Sequence, residues 1–251
     1  MNYEEKVSII IPVYNEEKWI RQTIENLKEQ IYKNYEIILI DDGSTDKSKQ
    51  IILEYTDDEN IKLISLEKNV GPAIARNEGL KIATGRFICF QDADDLWDKH
   101  KLEKQINFMK KNDCAFSYTA FKYLNDNKLK KDKIVNVPLV LDYKKALKDT
   151  RILTTSVMLD RNKINKELLQ MPNVPAEDVA TWWNILKNGF LAYGLDEVLV
   201  YYHITSNRLT SNKFKSAKNR WNVYRKVEGF NILQSLYYFS FYIFNAIRKR
   251  L

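Results

Sequence analysis

Short apolar runs recur through the first half of the chain, and each one ends in polar residues. Residues 7–13 form a β-branched strand pattern closed by Pro12 and a polar turn, and 35–40 form a second that runs into Asp41-Asp42-Gly43-Ser44-Thr45-Asp46. A third strand is predicted over 61–66 and a fourth over the run Phe87-Ile88-Cys89-Phe90. Between them the spacing predicts helices: 18–28, with Trp19, Ile20, Ile24 and Leu27 on one face, then 47–55 and 72–83. Strand–helix alternation at this spacing predicts a parallel, right-handedly wound α/β sheet. Beyond Asn112 the order changes, with strands expected at 115–122, 155–159 and 191–202, a charged turn at 128–133 and a helix at 177–187. No repeat or low-complexity linker interrupts this pattern, so one domain with a tail is the simplest organisation.

Composition adds limits rather than detail. The 251 residues, 45% apolar and 29% charged, are ordinary for a soluble globular chain. Cys89 and Cys114 are too few for a disulfide framework and read as buried thiols in a reducing compartment. Acidic residues followed by a strand from Val7 do not make a signal peptide. The net charge of +7 is unevenly placed: residues 213–251 hold nine Lys/Arg against Glu228 alone, leaving the rest near neutrality. That asymmetry points to an appended surface-binding element, and a body without a basic face gives no reason to expect nucleic acid as a partner.

The chemistry concentrates at Phe90-Gln91-Asp92-Ala93-Asp94-Asp95-Leu96-Trp97, three carboxylates in four residues at the end of a buried strand. Such charges repel unless compensated, and a hard dication carrying substrate phosphates would compensate them. The other reading is an acidic turn, with Asp95 or Asp98 capping a helix that starts near Lys99. Two more strand ends carry polar clusters, Tyr14-Asn15-Glu16 and Asp41-Asp42-Gly43-Ser44. Tyr14 could stack on a base or merely cap the sheet, and Asp41 could bond a base imide or ribose hydroxyl or belong to a simple turn. Strand ends of an α/β sheet form its ligand crevice, which favours convergence of the three clusters. Neither GxGxxG nor GxxxxGK[ST] occurs, so bound phosphates would need cations. Arg76, on the helix beginning near Pro72, is either one such cation or an exposed helical arginine.

Residues 12–17 (PVYNEE), 41–46 (DDGSTD), 69–79 (NVGPAIARNEG) and 90–97 (FQDADDLW) together resemble the family 2 glycosyltransferases of the GT-A fold, in order and spacing, over about residues 6–112. Residues 176–183 (AEDVATWW) look like that family's "ED" segment. Residues 192–197 (AYGLDE) and 201–203 (YYH) look like bacterial polysaccharide-assembly members of the teichuronic-acid and capsule type, extending the resemblance to about residue 225. The resemblance implies a Rossmann-like mixed sheet flanked by helices over 1–212, with a nucleotide half to about 112 and an acceptor half from 113, followed by a helical tail at 213–251.

It also implies roles. Tyr14 would stack on uracil and Asp41 bond to it, with Pro12, Val13 and Glu16 lining the site. Asp92 would reach the ribose, Asp94 would ligate Mn²⁺ or Mg²⁺, and Arg76 would contact the nucleotide or diphosphate. Asp178 would be the general base of an inverting displacement, and Glu177 an acceptor or backbone contact. The bland alternative is that both acids merely favour a helix N-terminus. Asp95 is left to the acceptor side or to helix capping. Where similar enzymes often carry Tyr-Arg, this chain has Tyr202-His203. His203 would then donate to the leaving diphosphate, with Arg208 or Lys213 as substitutes, or be a plain loop histidine. Asn219-Arg220-Trp221 is similar to the end of the processive QxxRW motif, but Ala217 holds the glutamine position, so processive synthesis is not expected.

The stretch 232–247 is rich in Leu, Ile, Tyr and Phe but interrupted by Gln234, Ser235, Ser240 and Asn245, and is shorter than the ~20 apolar residues of a membrane span. With Arg225-Lys226 before it and Arg248-Lys249-Arg250 after it, it reads as an interfacial membrane helix or an oligomerisation helix. The expected activity is transfer of one sugar from a UDP-sugar to a lipid-linked oligosaccharide, peripherally on the inner face of the cell membrane. A nucleotidyltransferase and a non-catalytic nucleotide-sugar-binding subunit are the alternatives.

Overall fold

The apolar runs lie side by side in the sheet. In the computed structural model, which describes residues 5–125, 133–149, 151–204 and 213–248, β1 (Val7–Val13) pairs in parallel with β2 (Tyr35–Asp41) from Val7↔Tyr35 to Val13↔Asp41. β3 (Ile61–Ser65) joins the far side of β2 and β4 (Phe87–Phe90) the far side of β1, all parallel. The runs 9–13, 37–40 and 87–90 are apolar without alternation because both faces of these strands are covered. Ile10, Ile38, Ile40, Ile88 and Phe90 meet α3 (Pro72–Ile82), while Ile9, Ile11, Ile37 and Leu39 meet α1 (Ile20–Lys28) and α2 (Ser48–Leu53). The period of two assigns alternate side chains of each strand to opposite layers. Gly79 lets α3 lie close: a Cβ there would stand 2.7 Å from Ile10 Cγ2 and 2.9 Å from Ile40 Cδ1.

After β4 come β5 (Leu96–Trp97), α4 (Lys101–Lys111), β6 (Phe116–Asn125), β7 (Ile134–Val135), β8 (Val140–Leu141) and α5 (Tyr143–Ala146). A 3₁₀ turn (Thr154–Ser156) then leads into β9 (Met158–Asp160), α6 (Lys166–Leu169), α7 (Glu177–Lys187) and β10 (Ala192–Ile204). The sheet order is β3-β2-β1-β4-β9-β6-β10-β5, with β7 on β6 and β8 on β10. It is mixed rather than wholly parallel. β9 runs antiparallel to both β4 and β6, and β5 and β8 run antiparallel to β10. The chain enters β9 from the 3₁₀ turn at Thr154–Ser156. That turn also displaces the strand expected at 155–159, because Ser156 Oγ donates to Leu153 O (2.7 Å) and Thr155 Oγ1 to Gln91 Oε1 (2.6 Å).

Neither Asp95 nor Asp98 caps α4 as expected from residue 99. The helix begins at Lys101; Asp98 instead closes the preceding turn, accepting at Oδ1 from His100 N (2.9 Å) and at its carbonyl from Lys101 N (2.9 Å).

The tail comprises α8 (Lys213–Asn222), one π-helical turn (Val223–Val227) and α9 (Ile232–Arg248). Val223 and Tyr224 belong to the same core as Trp182 and Trp183. Tyr224 stacks on Trp183 at 5.0 Å and donates its hydroxyl to Leu147 O at 2.7 Å. α9 is held by Tyr238 stacked on Phe230 (5.3 Å) and by Asn245 Nδ2 donating to Lys148 O (2.7 Å). Its other side exposes Ile232, Leu233, Leu236, Tyr237, Ile243 and Phe244. Among the described residues no helix is long and apolar enough to cross a membrane.

Candidate active site

The first two strand ends are stitched together through their loops. Asn15, held at φ 54°, accepts at Oδ1 from Thr45 N (2.8 Å) and donates its own N–H to Ser44 Oγ (3.1 Å). Glu16 N donates to Ser48 Oγ (2.7 Å), and Glu17 N to Asp46 Oδ2 (3.0 Å). These bonds hold Tyr14 at the rim with 46% of its surface exposed, directly after Val13, whose register partner is Asp41. Pro12 pairs with Ile40 just below. Asp41 is buried, and its Oδ1 accepts from Ser44 N (3.2 Å). A rim aromatic above a buried acceptor suits a planar base with an imide edge.

Asp42, which the sequence offered only as part of a turn, has a definite task. Its two oxygens accept from Val70 N (2.7 Å) and Gly71 N (2.9 Å), fixing the segment that begins α3. Only tertiary proximity reveals this role.

Arg76 on α3 is not an exposed helical arginine. It is 5% exposed, and its guanidinium spans two elements, with Nη2 2.9 Å from Asp92 Oδ1 and Nη1 2.7 Å from Glu177 Oε1. Burial works against its charge, but Asp92, Glu177 and Asp178 outweigh it and hold the guanidinium above its ordinary range. Burial and the neighbouring Asp178 push the Glu177 carboxyl up, against the pull of Arg76. Asp92 and Glu177, expected at the ribose and the acceptor, thus share one cation in this structure.

The acidic segment is clamped from beneath by α1. Thr23 Oγ1 donates to Ala93 O (2.6 Å), while Asn26 bonds Trp97 in both directions, Oδ1 accepting from Trp97 N (2.7 Å) and Nδ2 donating to Trp97 O (2.9 Å). Gln91 Nε2 donates to Asp95 O (2.6 Å). Asp95 is fully buried, and its Oδ1 accepts from His203 N (3.2 Å), so it ties the acidic turn to β10 instead of capping a helix. His203 lies in β10 and not in a loop. It is buried, stacks on Trp19 at 4.8 Å, and its Nδ1 lies 2.5 Å from Asp94 O. Asp94 itself is only 6% exposed. Arg208 lies outside the described residues.

Among the described residues no group of three or more metal-ligating side chains gathers. A hard dication that keeps waters and substrate phosphates needs only one or two protein carboxylates, so Asp94 and its neighbours fit Mg²⁺ or Mn²⁺ by donor chemistry.

Asp178 sits in the first turn of α7, after Ala176 in the left-handed conformation (φ 61°, ψ 47°). Its Oδ1 accepts from Val179 N (2.7 Å) and its Oδ2 from Thr154 Oγ1 (2.8 Å). Trp182 anchors α7 on Phe90 (5.8 Å) and Phe116 (5.6 Å), packing the helix against the face of the sheet that these residues share. Thr154 carried no sequence signal, since its partner lies 24 residues away.

The model of the family described as glycosyl transferase family 2 matches residues 8–169. A Bacillus subtilis protein named as a teichuronic acid biosynthesis glycosyltransferase, TuaG, is 41% identical over all of this chain and 99% of its own length. WfgD of Escherichia coli, named a UDP-Glc:α-D-GlcNAc-diphosphoundecaprenol β-1,3-glucosyltransferase, is 39% identical over 97% of this chain and 94% of its own length. Two solved structures share the fold at lower identity. Staphylococcus aureus TarS 1–349 in complex with UDP-GlcNAc has a TM-score of 0.74 at 24% identity, covering 88% of this chain, which spans 65% of that one. The mannosyltransferase PcManGT of Pyrobaculum calidifontis in complex with GDP-Man and Mn²⁺ has a TM-score of 0.73 at 21% identity, over 95% and 70% of the two chains. The mixed sheet is the GT-A fold, and with relatives of this identity along its whole length the chain belongs to glycosyl transferase family 2.

Proposed function

We propose that the chain transfers one sugar, with inversion, from a UDP-sugar to a hydroxyl of a lipid-linked oligosaccharide during assembly of a bacterial surface polysaccharide. The observation that carries this reading is the placement of Asp178. Its carboxylate is held by two donors on α7 and the 154–156 turn, and its helix joins the strand-end cluster through Glu177, Arg76 and Asp92. The names of WfgD and TuaG support the donor, the acceptor class and the polysaccharide.

The acceptor hydroxyl gives its proton to Asp178 as its oxygen attacks the anomeric carbon. The bond from that carbon to the diphosphate breaks, and its electron pair leaves with UDP. A single displacement by one base inverts the centre. Tyr14 and Asp41 orient the uracil, with Pro12, Val13 and Glu16 around it, and Asp92 faces the ribose by exchanging part of its contact with Arg76. Asp94 would hold Mn²⁺ or Mg²⁺, which would supply positive charge against the negative charge developing on the leaving diphosphate. His203 acts from behind, fixing the Asp94 backbone through Nδ1.

Residues 213–251 are read as the tail that brings this site to the inner face of the cell membrane. The support is the exposed apolar side of α9 together with the basic excess of the segment. A self-associating α9 is the competing outcome, recognised by a concentration-dependent mass in solution.

The deciding assay is a panel of UDP-sugars with and without EDTA, scored for UDP release onto a lipid-linked acceptor. UDP from one donor, lost with EDTA and restored by Mn²⁺ or Mg²⁺, is the expected result. Pyrophosphate as the product identifies a nucleotidyltransferase, and binding without turnover for every donor identifies a non-catalytic subunit. Asp178→Asn is expected to lower turnover by roughly 10³-fold while UDP-sugar binding survives.

A further inference from the structure

Thr154 stands outside every motif of the chain yet donates a side-chain hydrogen bond to the proposed base. Its hydroxyl is 2.8 Å from Asp178 Oδ2, and the residue is 4% exposed. Val179 N holds the other oxygen at 2.7 Å. One donor comes from α7 itself and the other from a separate turn, so together they set the plane of the carboxylate. Each oxygen keeps a lone pair for an incoming hydroxyl.

The turn that carries Thr154 is built into the acidic segment. Thr155 Oγ1 donates to Gln91 Oε1 (2.6 Å), and Trp97 Nε1 donates to Thr155 O (3.0 Å). Ser156 O accepts from Gln105 Nε2 (3.0 Å), and Gln91 Nε2 completes the chain on Asp95 O (2.6 Å). Residues 154–156 are thereby locked to the segment that bears Asp92 and Asp94. The charged groups that act on this carboxylate are Arg76 and Glu177, which pair with each other, and Arg76 also engages Asp92.

We propose that Thr154 is a positioning residue for Asp178, aiming its carboxylate at the acceptor hydroxyl and holding it in register with the donor-side carboxylates through the Thr155–Gln91–Asp95 chain. The proposal rests on Asp178 being the base. Its chemistry is a fixed, preorganised hydrogen bond: a misaimed base loses rate without losing donor affinity.

The test compares Thr154→Val, Thr154→Ser and Asp178→Asn in the full chain. Thr154→Val keeps the shape and removes the donor. It is expected to lower kcat by roughly ten- to a hundredfold with the UDP-sugar KM unchanged. Thr154→Ser is expected to restore most of the rate. Wild-type kcat in Thr154→Val, alongside an inactive Asp178→Asn, overturns the positioning role alone. Turnover retained in Asp178→Asn overturns the base assignment beneath it. Should Thr154→Val fail to fold, the Thr154→Ser and Thr154→Ala pair decides, and equal kcat in those two overturns the proposal.

Discussion

The carboxylates at two places in this molecule are compensated in different ways. At the end of β2, Asp42 is satisfied by backbone N–H groups of Val70 and Gly71. At the start of α7, Glu177 depends on a side chain, the buried Arg76, which it shares with Asp92. Backbone donors are fixed once the chain is folded, so Asp42 acts as a strut. A shared guanidinium couples its partners: what Asp92 does with a ligand is felt at Glu177, next to Asp178. The first arrangement builds a scaffold, and the second links two parts of the site.

Substitutions can break that contrast, most severely at the shared cation. Arg76→Met leaves the partly buried Glu177 beside Asp178 with no counter-charge, and should cost about 3 kcal/mol in denaturant unfolding. Arg76→Lys should recover little, because an ammonium lacks the fork that reaches both carboxylates.

Glu36 is the next largest. It is buried where β1 and β2 begin, with Ser8 Oγ at 2.6 Å, Lys62 Nζ at 2.7 Å and Thr84 N at 2.7 Å. Burial opposes its charge, but Lys62, Ser8 and Thr84 hold the carboxyl well below its ordinary value of 4.5. A depressed carboxylate contributes stability that is fully present above its unfolded pKa and fades as pH falls towards its folded one. Glu36→Gln should therefore cost about 2 kcal/mol near neutral pH, and the difference should shrink steadily below pH 4.5 in acid titrations of stability.

Asp42→Asn should be milder, about 1 kcal/mol, since the amide oxygen still accepts one of the two N–H groups. An equal cost for Asp42→Asn and Arg76→Met would erase the distinction between strut and link. Smallest for the fold is Leu233→Glu with Leu236→Glu on the exposed side of α9, where unfolding should be unchanged. Binding to vesicles containing anionic lipid should instead fall by roughly tenfold or more. Undiminished vesicle binding would sink the membrane role proposed for the tail.

The first part of the sheet was legible because its rules are local. Strands β1, β2 and β4 are built on the apolar runs 9–13, 37–40 and 87–90, and Tyr14, Asp41 and Asp92 each follow such a run within two residues. Position at a strand end is enough to place them in a crevice. The later part obeyed longer rules. The antiparallel insertion of β9, the 3₁₀ turn before it and the burial of His203 in β10 all come from pairings between distant segments. Tyr224, placed by sequence in an appended tail, stacks on Trp183 because α7 leaves an aromatic face there to be covered.

By itself the sequence determined the strand–helix alternation, the three polar strand ends and the acidic pair opening α7, since periodicity and strand-end placement are properties of neighbouring residues. Tertiary structure alone decided which carboxylates share Arg76, that Asp42 holds the start of α3, and that Thr154 meets Asp178. Those contacts join residues 16 to 101 positions apart, and no local pattern records a partner chosen by packing.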